Sequence, residues 1–210
     1  MCFKFTVNPT SHEILRNQHS TQIRVVEIDN TLIQKINSCQ NDQDILNLIK
    51  SHPSSFQIPP IGVIGPKEAT PDEYQFAEKL GEALAQLGIT VICGGRNGVM
   101  EAVCKGVYMQ DGTSIGIIPS DHWKDANKYV KQIITTNMGP TRNSLIALSA
   151  FSLIAVGGGL GTLSEIAYGL HYDKPVIVTD TAPYVDGVVV LNNISEIISL
   201  ILAILLNIQE

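Results

Sequence analysis

From residue 58 onward, short runs rich in β-branched residues alternate with stretches of helical periodicity, and this alternation constrains the fold more than any other feature. The runs occupy residues 61–65, 89–95, 114–119, 132–136, 153–159 and 175–180. Short apolar runs of this kind are typical of parallel strands buried on both faces, and the helical stretches supply the crossovers between them. The sequence therefore predicts an α/β fold, a Rossmann-like three-layer sandwich with a mostly parallel sheet.

Local signals mark where helices begin. The sequence TPDE (70–73) has the pattern of a capping box with proline in the first turn, and it predicts a helix that continues to about Leu87. The same T-x-x-E spacing recurs at Thr162 and Glu165. Glu165 is therefore either the capping partner of Thr162 or a residue with a chemical role.

The last predicted helix begins after Asn193 and is apolar on most of its surface. Its run of apolar residues at 197–206 is shorter than the roughly 20 residues that cross a bilayer. A helix that is apolar all round needs cover on more than one face. We expect a partner subunit or the rest of the chain to supply it.

Residues 1–57 differ in composition, being richer in Asn, Gln, Ser and His. They contain a candidate strand at 23–28 and a short amphipathic helix at 44–51, and residues 54–60 resemble a linker. We expect an N-terminal appendage of unknown role over residues 1–57 and a Rossmann-like domain over residues 58–210.

Charge and cysteine usage exclude several classes of function. The net charge of −6 argues against a surface that collects nucleic acid, so an anion site must be local. The four cysteines show no C-x-x-C spacing, which favours reduced thiols and no protein-ligated metal. The N-terminus lacks the pattern of a signal peptide, and we expect a cytoplasmic protein that does not bind membranes.

Glycine-rich loops follow several predicted strands, at the sheet edge where α/β proteins bind ligands. Gly65 begins a tight turn after the first strand. Gly94, Gly95 and Gly98 leave backbone amides bare at the start of a helix, and Arg96 lies between them. Taken singly, such glycines can also serve only to form turns.

Two further loops strengthen the prediction of an anion site. Arg142 lies in the first turn of a helix after Gly139 and Pro140, where a cation opposes the helix dipole. Four glycines precede another helix, at positions 157, 158, 159 and 161. Such a backbone nest suits a phosphate or a similar oxyanion, so we predict a small anionic or phosphorylated ligand.

Several of these side chains have a structural alternative. Arg142 could pair with Glu165 simply to stabilise the fold, or the pair could orient a ligand. Arg96 could be a surface residue or a second charge at the ligand. His122 and Trp123 could form a lid or lie in solvent, and Cys93 is expected to fill the core.

Four stretches together resemble the SLOG superfamily: GGRNGVMEAVCKGV (94–107), GIIP (116–119), MGPTRN (138–143) and GGGLGTLSEIAYGL (157–170). This superfamily includes the Lonely Guy phosphoribohydrolases and the molybdenum cofactor carrier proteins. The resemblance extends over about residues 58–208. It implies a phosphate-binding site and a homo-oligomer, a dimer or a tetramer.

The resemblance also implies roles for individual residues. In the phosphoribohydrolases, a PGGxGTxxE loop and an upstream Arg-Lys pair cleave a nucleoside 5′-monophosphate to free base and ribose 5-phosphate. By motif, Glu165 and Arg142 would be the catalytic residues if this chain were such a hydrolase. However, the loop proline is replaced in the segment Val156-Gly157, and Asn143 follows Arg142 in place of lysine.

The Arg142-Asn143 pair and the GGRNGVMEAV stretch look more like the carrier branch of the superfamily. Members of that branch bind the molybdenum cofactor, a pterin with a terminal phosphate. The resemblance thus implies carriage and protection of this cofactor. The alternatives are a phosphoribohydrolase and a nucleotide-sensing protein that signals through its oligomer. The residues expected to contact the ligand are Gly65, Gly94, Gly95, Arg96, Gly98, Arg142, Asn143, Gly157, Gly158, Gly159, Gly161, Thr162 and Glu165.

Overall fold

The computed structural model describes residues 4–26 and 29–207. The chain forms two compact units, one from the chain up to Pro59 together with the segment from Ser199 onward, and one from Pro60 to Ile198. The division into domains 1–57 and 58–210 stays a prediction. The end of the predicted strand 23–28 lies outside the described residues.

The first unit contains a four-stranded antiparallel sheet with strands in chain order. Its elements are β1 (Phe5–Val7), β2 (Glu13–Arg16), β3 (His19–Val25), α1 (Asn30–Ser38), α2 (Asp42–Ser51) and β4 (Phe56–Gln57). Along β3, buried Thr21, Ile23 and Val25 alternate with exposed residues, as a sheet with one covered face requires. The predicted helix 44–51 lies within α2, whereas the predicted linker contains β4, which pairs with β3.

The second unit contains a seven-stranded sheet in which every neighbouring pair of strands is parallel. Its strands are β5 (Ile61–Ile64), β6 (Val91–Cys93), β7 (Ser114–Ile118), β8 (Gln132–Thr135), β9 (Leu153–Ala155), β10 (Val176–Val178) and β11 (Val189–Val190). The first six confirm the strands predicted from the sequence, and β11 was not predicted.

Helices cover this sheet on both faces. They are α3 (Pro71–Gln86), α4 (Val99–Met109), α5 (Asn143–Ser149) and α6 (Leu160–His171), and α7 (Ile194–Leu205) follows them in the chain. Helix α3 packs on α4, and α5 packs on α6. Right-handed crossovers place these two pairs on opposite faces, so the predicted three-layer α/β sandwich is confirmed.

The order of the strands is β11-β10-β9-β5-β6-β7-β8. The chain therefore runs outward from β5 in one direction and later returns to β9 on the other side of β5. Loops that leave β5 and β9 diverge to opposite faces, and this reversal opens a crevice at the carboxyl ends of the strands. Buried Ile64, Ala155 and Leu153 fill the centre of the sheet below it.

The helix signals in the sequence are confirmed at two positions. Thr70 and Glu73 form the predicted capping box of α3, with Pro71 in its first turn. At α7, the Asn193 Oδ1 accepts hydrogen bonds from the backbone N–H groups of Ser195 and Glu196.

The apolar surface of α7 is largely covered within the chain. The side chains of Ile197, Ile201 and Leu205 are fully buried, and Leu200, Leu202 and Ile204 are half-buried. A homo-oligomeric state stays a prediction. Within the described part of the chain, none of the helices has both the length and the hydropathy of a bilayer-spanning segment.

Candidate anion-binding site

A cavity of about 510 Å³ lies at the carboxyl ends of β5, β6, β7 and β9. Its volume falls within the range of roughly 300–1,000 Å³ that is usual for small-molecule sites. The loops after these strands and the turn before α5 meet there, as the strand reversal requires. Its walls are formed by Gly65, Pro66, Lys67, Arg96, Met100, Pro119, Pro140, Arg142, Asn143, Gly159, Gly161, Thr162 and Glu165.

The structure divides the predicted site residues into two groups. Those that line the cavity are Gly65, Arg96, Arg142, Asn143, Gly159, Gly161, Thr162 and Glu165, whereas Gly94, Gly95, Gly98, Gly157 and Gly158 do not. Sequence reasoning missed Pro66, Lys67, Met100, Pro119 and Pro140 as wall residues. Lys67 is in the loop after β5, and no motif distinguishes it from a surface lysine.

Gly94, Gly95 and Gly98 shape the loop beneath the cavity. Gly95 and Gly98 both have a φ of +67°, a conformation that favours glycine. A Cβ on Gly98 would also lie 2.6 Å from the carbonyl oxygen of Lys67. These glycines let the chain turn sharply from β6 into α4.

Gly157 and Gly158 do not line the cavity. The Gly157 N–H donates to Thr179 Oγ1 at 3.1 Å, and a Cβ on Gly157 would overlap the Glu73 carboxylate. A Cβ on Gly158 would overlap the side chain of Thr162. Close packing against neighbouring side chains therefore explains why both positions are glycine.

Arg142 is the most deeply buried cation of the cavity, with 7% of its surface exposed. Its Nη1 donates to Asn143 Oδ1 and lies 3.5 Å from Glu165 Oε1, and its Nη2 donates to the Gly94 carbonyl at 3.3 Å. Its Nε is buried without a hydrogen-bond partner among the described residues. Buried polar atoms are normally paired, so this N–H is an unused donor on a residue that lines the cavity.

Local structure explains how an arginine comes to lie there. A 3₁₀ turn over Gly139–Arg142 contains Pro140 and leads directly into α5, with Arg142 as the residue before the helix. A cation at a helix N-terminus opposes the partial positive charge of the helix. A bound anion would offset this repulsion.

Glu165 does not act as a capping residue, and the capping-box interpretation of Thr162 and Glu165 was wrong. Helix α6 begins at Leu160 with Gly159 as its N-cap, three residues earlier than the T-x-x-E spacing indicates. Glu165 consequently lies in the second turn of the helix, buried opposite Arg142. Burial raises the pKa of Glu165 to about 8, and the Arg142 guanidinium only partly offsets this rise.

The cavity carries more positive than negative charge. Lys67, Arg96 and Arg142 line it, and Glu165 is the acidic side chain among its wall residues. Burial lowers the pKa of Arg142 and Glu165 counters this, yet an arginine stays protonated in proteins. With Glu165 largely protonated at neutral pH, the cavity attracts anions although the chain as a whole is acidic.

The N-terminus of α6 provides backbone donors to the same cavity. Its first N–H groups have no acceptor within the helix, and no side chain of the described residues caps them. A Cβ on Gly159 or Gly161 would meet no described atom within 4 Å. These two glycines thus leave space at a helix end suited to a phosphate or another oxyanion.

Asn143 joins the two halves of the site. Its Nδ2 donates to the Gly161 carbonyl at 3.3 Å and to Ser164 Oγ at 2.9 Å, while its Oδ1 accepts from Arg142. The amide therefore fixes the start of α6 relative to the guanidinium.

The remaining candidates lie outside the cavity walls. His122 and Trp123 are exposed, and Cys93 is buried 3.5 Å from the sulfur of Cys104, as expected for a core residue. Across residues 4–26 and 29–207, no group of three or more His, Cys, Asp or Glu side chains is arranged to hold a metal ion.

Comparison with known proteins identifies the family. The profile of the SLOG cluster4 family matches residues 59–199, which include every wall residue of the cavity. The chain belongs to the SLOG cluster4 family. This SLOG chain is 39% identical over 140 residues to an uncharacterized protein of Archaeoglobus fulgidus, covering 66% of this chain and 91% of that relative.

Solved structures similar to this SLOG chain include two molybdenum cofactor proteins. The molybdenum cofactor binding protein of Rippkaea orientalis superposes with a TM-score of 0.67 at 36% identity, covering 70% of this chain and 98% of that one. The molybdenum cofactor carrier protein of Chlamydomonas reinhardtii superposes with a TM-score of 0.65 at 30% identity, covering 71% and 99%. The resemblance stated from the sequence motifs is confirmed.

Proposed function

We propose that this SLOG chain binds and carries the molybdenum cofactor, holding its terminal phosphate between Arg142 and the N-terminus of α6. The observation that carries the proposal is the buried Arg142 Nε, which lacks a partner among the described residues. A phosphate oxygen would accept from it. Charge-assisted hydrogen bonds of this kind are stronger than neutral ones and resist competition by water.

The wall of the cavity suits both the phosphate and the organic ring system of such a ligand. Lys67 and Arg96 add positive charge, while Met100, Pro119 and Pro140 give part of the wall an apolar surface. A phosphate bound to an organic ring system needs both kinds of surface. The two molybdenum cofactor proteins with similar structures support the choice of this cofactor among phosphorylated ligands.

Carriage is favoured over hydrolysis by the state of Glu165. Cleavage of an N-glycosidic bond calls for a carboxylate that stabilises positive charge on the sugar and helps to activate water. Glu165 is largely protonated at neutral pH, since burial raises its pKa to about 8. Asn143 stands where the hydrolases have a lysine. Its side-chain Oδ1 accepts a hydrogen bond from Nη1 of Arg142.

A phosphoribohydrolase is the second candidate, and one observation favours it. Glu165 Oε1 and Arg142 Nη1 lie 3.5 Å apart in the same cavity, as residues that act on one ligand would. A carboxyl group with a raised pKa can also serve as a general acid. A nucleotide-sensing oligomer stays a prediction.

Parallel assays with the purified full chain separate these functions. One assay incubates the chain anaerobically with released molybdenum cofactor and measures the molybdenum that stays with the protein on gel filtration. The other measures release of free base from AMP. Cofactor retention without base release supports carriage, whereas base release that is abolished in Glu165→Gln establishes the hydrolase.

A further inference from the structure

Arg96 lines the cavity from a loop that contains two glycines in a left-handed conformation. Residues 94–98 connect β6 to α4, and Gly95 and Gly98 flank Arg96 with φ values of +67°. Glycine adopts many backbone conformations at little cost, so two of them leave the direction of Arg96 poorly defined by the loop itself. Something outside the loop must hold it.

Asn127 supplies the hydrogen bonds that hold the Gly95 and Arg96 carbonyl groups of this loop. Its backbone N–H donates to the Gly95 carbonyl at 2.8 Å, and its side-chain Nδ2 donates to the Arg96 carbonyl at 2.9 Å. Its Oδ1 accepts from the N–H of Tyr129 at 3.1 Å. Asn127 thus binds two consecutive carbonyl groups of the Arg96 loop, Gly95 through its backbone and Arg96 through its side-chain amide, whose oxygen also binds the Tyr129 N–H of its own segment.

The location of Asn127 makes these bonds effective. Asn127 is 9% exposed although it lies in the loop that follows β7, and Ser120 Oγ donates to Asp125 Oδ2 within that loop at 2.5 Å. Hydrogen bonds shielded from water are costly to break, because the freed groups stay unsatisfied. The bond to the Gly95 carbonyl comes from the backbone, so it is the bond to the Arg96 carbonyl that depends on the side chain at position 127.

We propose that Asn127 is a positioning residue of the anion site, which holds Arg96 so that its charge and that of Arg142 converge on one bound anion. This inference rests on the proposed function. The two guanidinium groups already influence each other, since the charge of Arg96 contributes to lowering the pKa of Arg142. An anion between them would relieve this repulsion, and misplacing Arg96 would remove one of its two guanidinium partners.

The test is a double-variant cycle with inorganic phosphate as the probe, measured by isothermal titration calorimetry on the full chain. Asn127→Asp keeps the acceptor for Tyr129 but replaces the donor to Arg96 by an oxygen. We expect it to weaken phosphate binding by about five- to tenfold, as loss of a buried hydrogen bond to the loop should. In the Arg96→Ala background, the same change should lose most of this effect and keep only the smaller repulsion between the new carboxylate and the phosphate.

Asn192→Ala is the matched control, because Asn192 Oδ1 also accepts a loop hydrogen bond, from the Asp180 N–H, but does not line the cavity. It should leave phosphate affinity unchanged. Asn127→Ser is a second variant in case Asn127→Asp fails to fold, and it should show the same dependence on Arg96. The thermal midpoint of each variant reports folding separately.

Three results would overturn the inference. An equal loss of affinity with and without Arg96 would mean that Asn127 acts on the whole fold, and an unchanged affinity would mean that it does not position the loop. In both cases the native chain still binds phosphate and the proposed function stands. If the native chain binds no phosphate, the anion site and this inference fail together.

Discussion

The guanidinium of Arg142 occupies the space that a side chain on Gly94 would require. A Cβ on Gly94 would overlap Nη2 of Arg142 and come within 3.0 Å of its Cζ, and the Gly94 carbonyl accepts a hydrogen bond from the same Nη2. Met100 Sδ closes the other side at 2.7 Å from that position. The absence of a side chain on residue 94 is therefore what allows a buried cation beside the cavity.

Gly94→Ala should consequently impair anion binding without touching the anion. The added methyl group displaces the guanidinium, and overpacking of this kind destabilises a protein by about 1–3 kcal/mol. Urea unfolding should show this loss, and calorimetry with phosphate should show affinity close to that of Arg142→Ala. If Gly94→Ala destabilised the fold but bound phosphate normally, the position of Arg142 would not matter for binding.

Gly161→Ala, unlike Gly94→Ala, should raise the stability of the fold while it weakens anion binding. A Cβ at this position meets no described atom within 4 Å, and alanine in a helix is more favourable than glycine by up to about 1 kcal/mol. We expect a raised thermal midpoint together with weaker phosphate binding, because the methyl group enters the cavity at the start of α6. Unchanged affinity in this variant would place the anion elsewhere.

Glu165 should make the chain less stable as the pH rises. The pKa of Glu165 is about 8 in the folded chain against an ordinary value of 4.5, so folding favours its protonated form. Its contribution is fully present below pH 4.5 and is lost progressively as the pH rises to about 8, by a few kcal/mol on an order-of-magnitude scale. Urea unfolding of Glu165→Gln across this range should lack that part of the pH dependence. If the free energy of unfolding fell equally with pH in the native chain and in Glu165→Gln, Glu165 would not be the group that titrates.

The same titration should control anion affinity at alkaline pH. Above about pH 8, ionised Glu165 competes with the ligand for the Arg142 guanidinium, whereas below it the carboxyl is neutral. We expect phosphate affinity to fall from pH 7.5 to about 9 in the native chain and to stay nearly constant in Glu165→Gln. Calorimetry at fixed ionic strength measures this, and an equal fall in both proteins would show that another group titrates.

The fold was predictable where hydrophobic pattern and local signals agree. The strands β5 to β10 are short apolar runs between helical stretches, and Thr70 with Glu73 caps α3 as its spacing indicates. Strand β11 was missed because its two residues, Val189 and Val190, are half-exposed and form no periodic pattern. Strands β1 and β2 were missed because they are short and contain polar residues.

The site was predictable only in part, because a sequence pattern does not say which way a residue faces. Gly157 and Gly159 belong to one glycine run, yet Gly157 packs against Glu73 while Gly159 opens into the cavity. The T-x-x-E spacing suggested a cap, but the backbone of Gly159 starts the helix earlier and so turns Glu165 inward. Lys67 and the wall prolines have no motif, and only the meeting of several loops brings them together.

Retention of the molybdenum cofactor by Arg142→Ala, compared with the native chain, tests the central claim most directly. The measurement is anaerobic equilibrium binding of released cofactor, with circular dichroism to show that the variant is folded. We expect the native chain to retain the cofactor and the variant to bind it at least about tenfold more weakly, because a charge-assisted hydrogen bond to the phosphate is lost. Equal retention by both folded proteins would contradict a site built around Arg142.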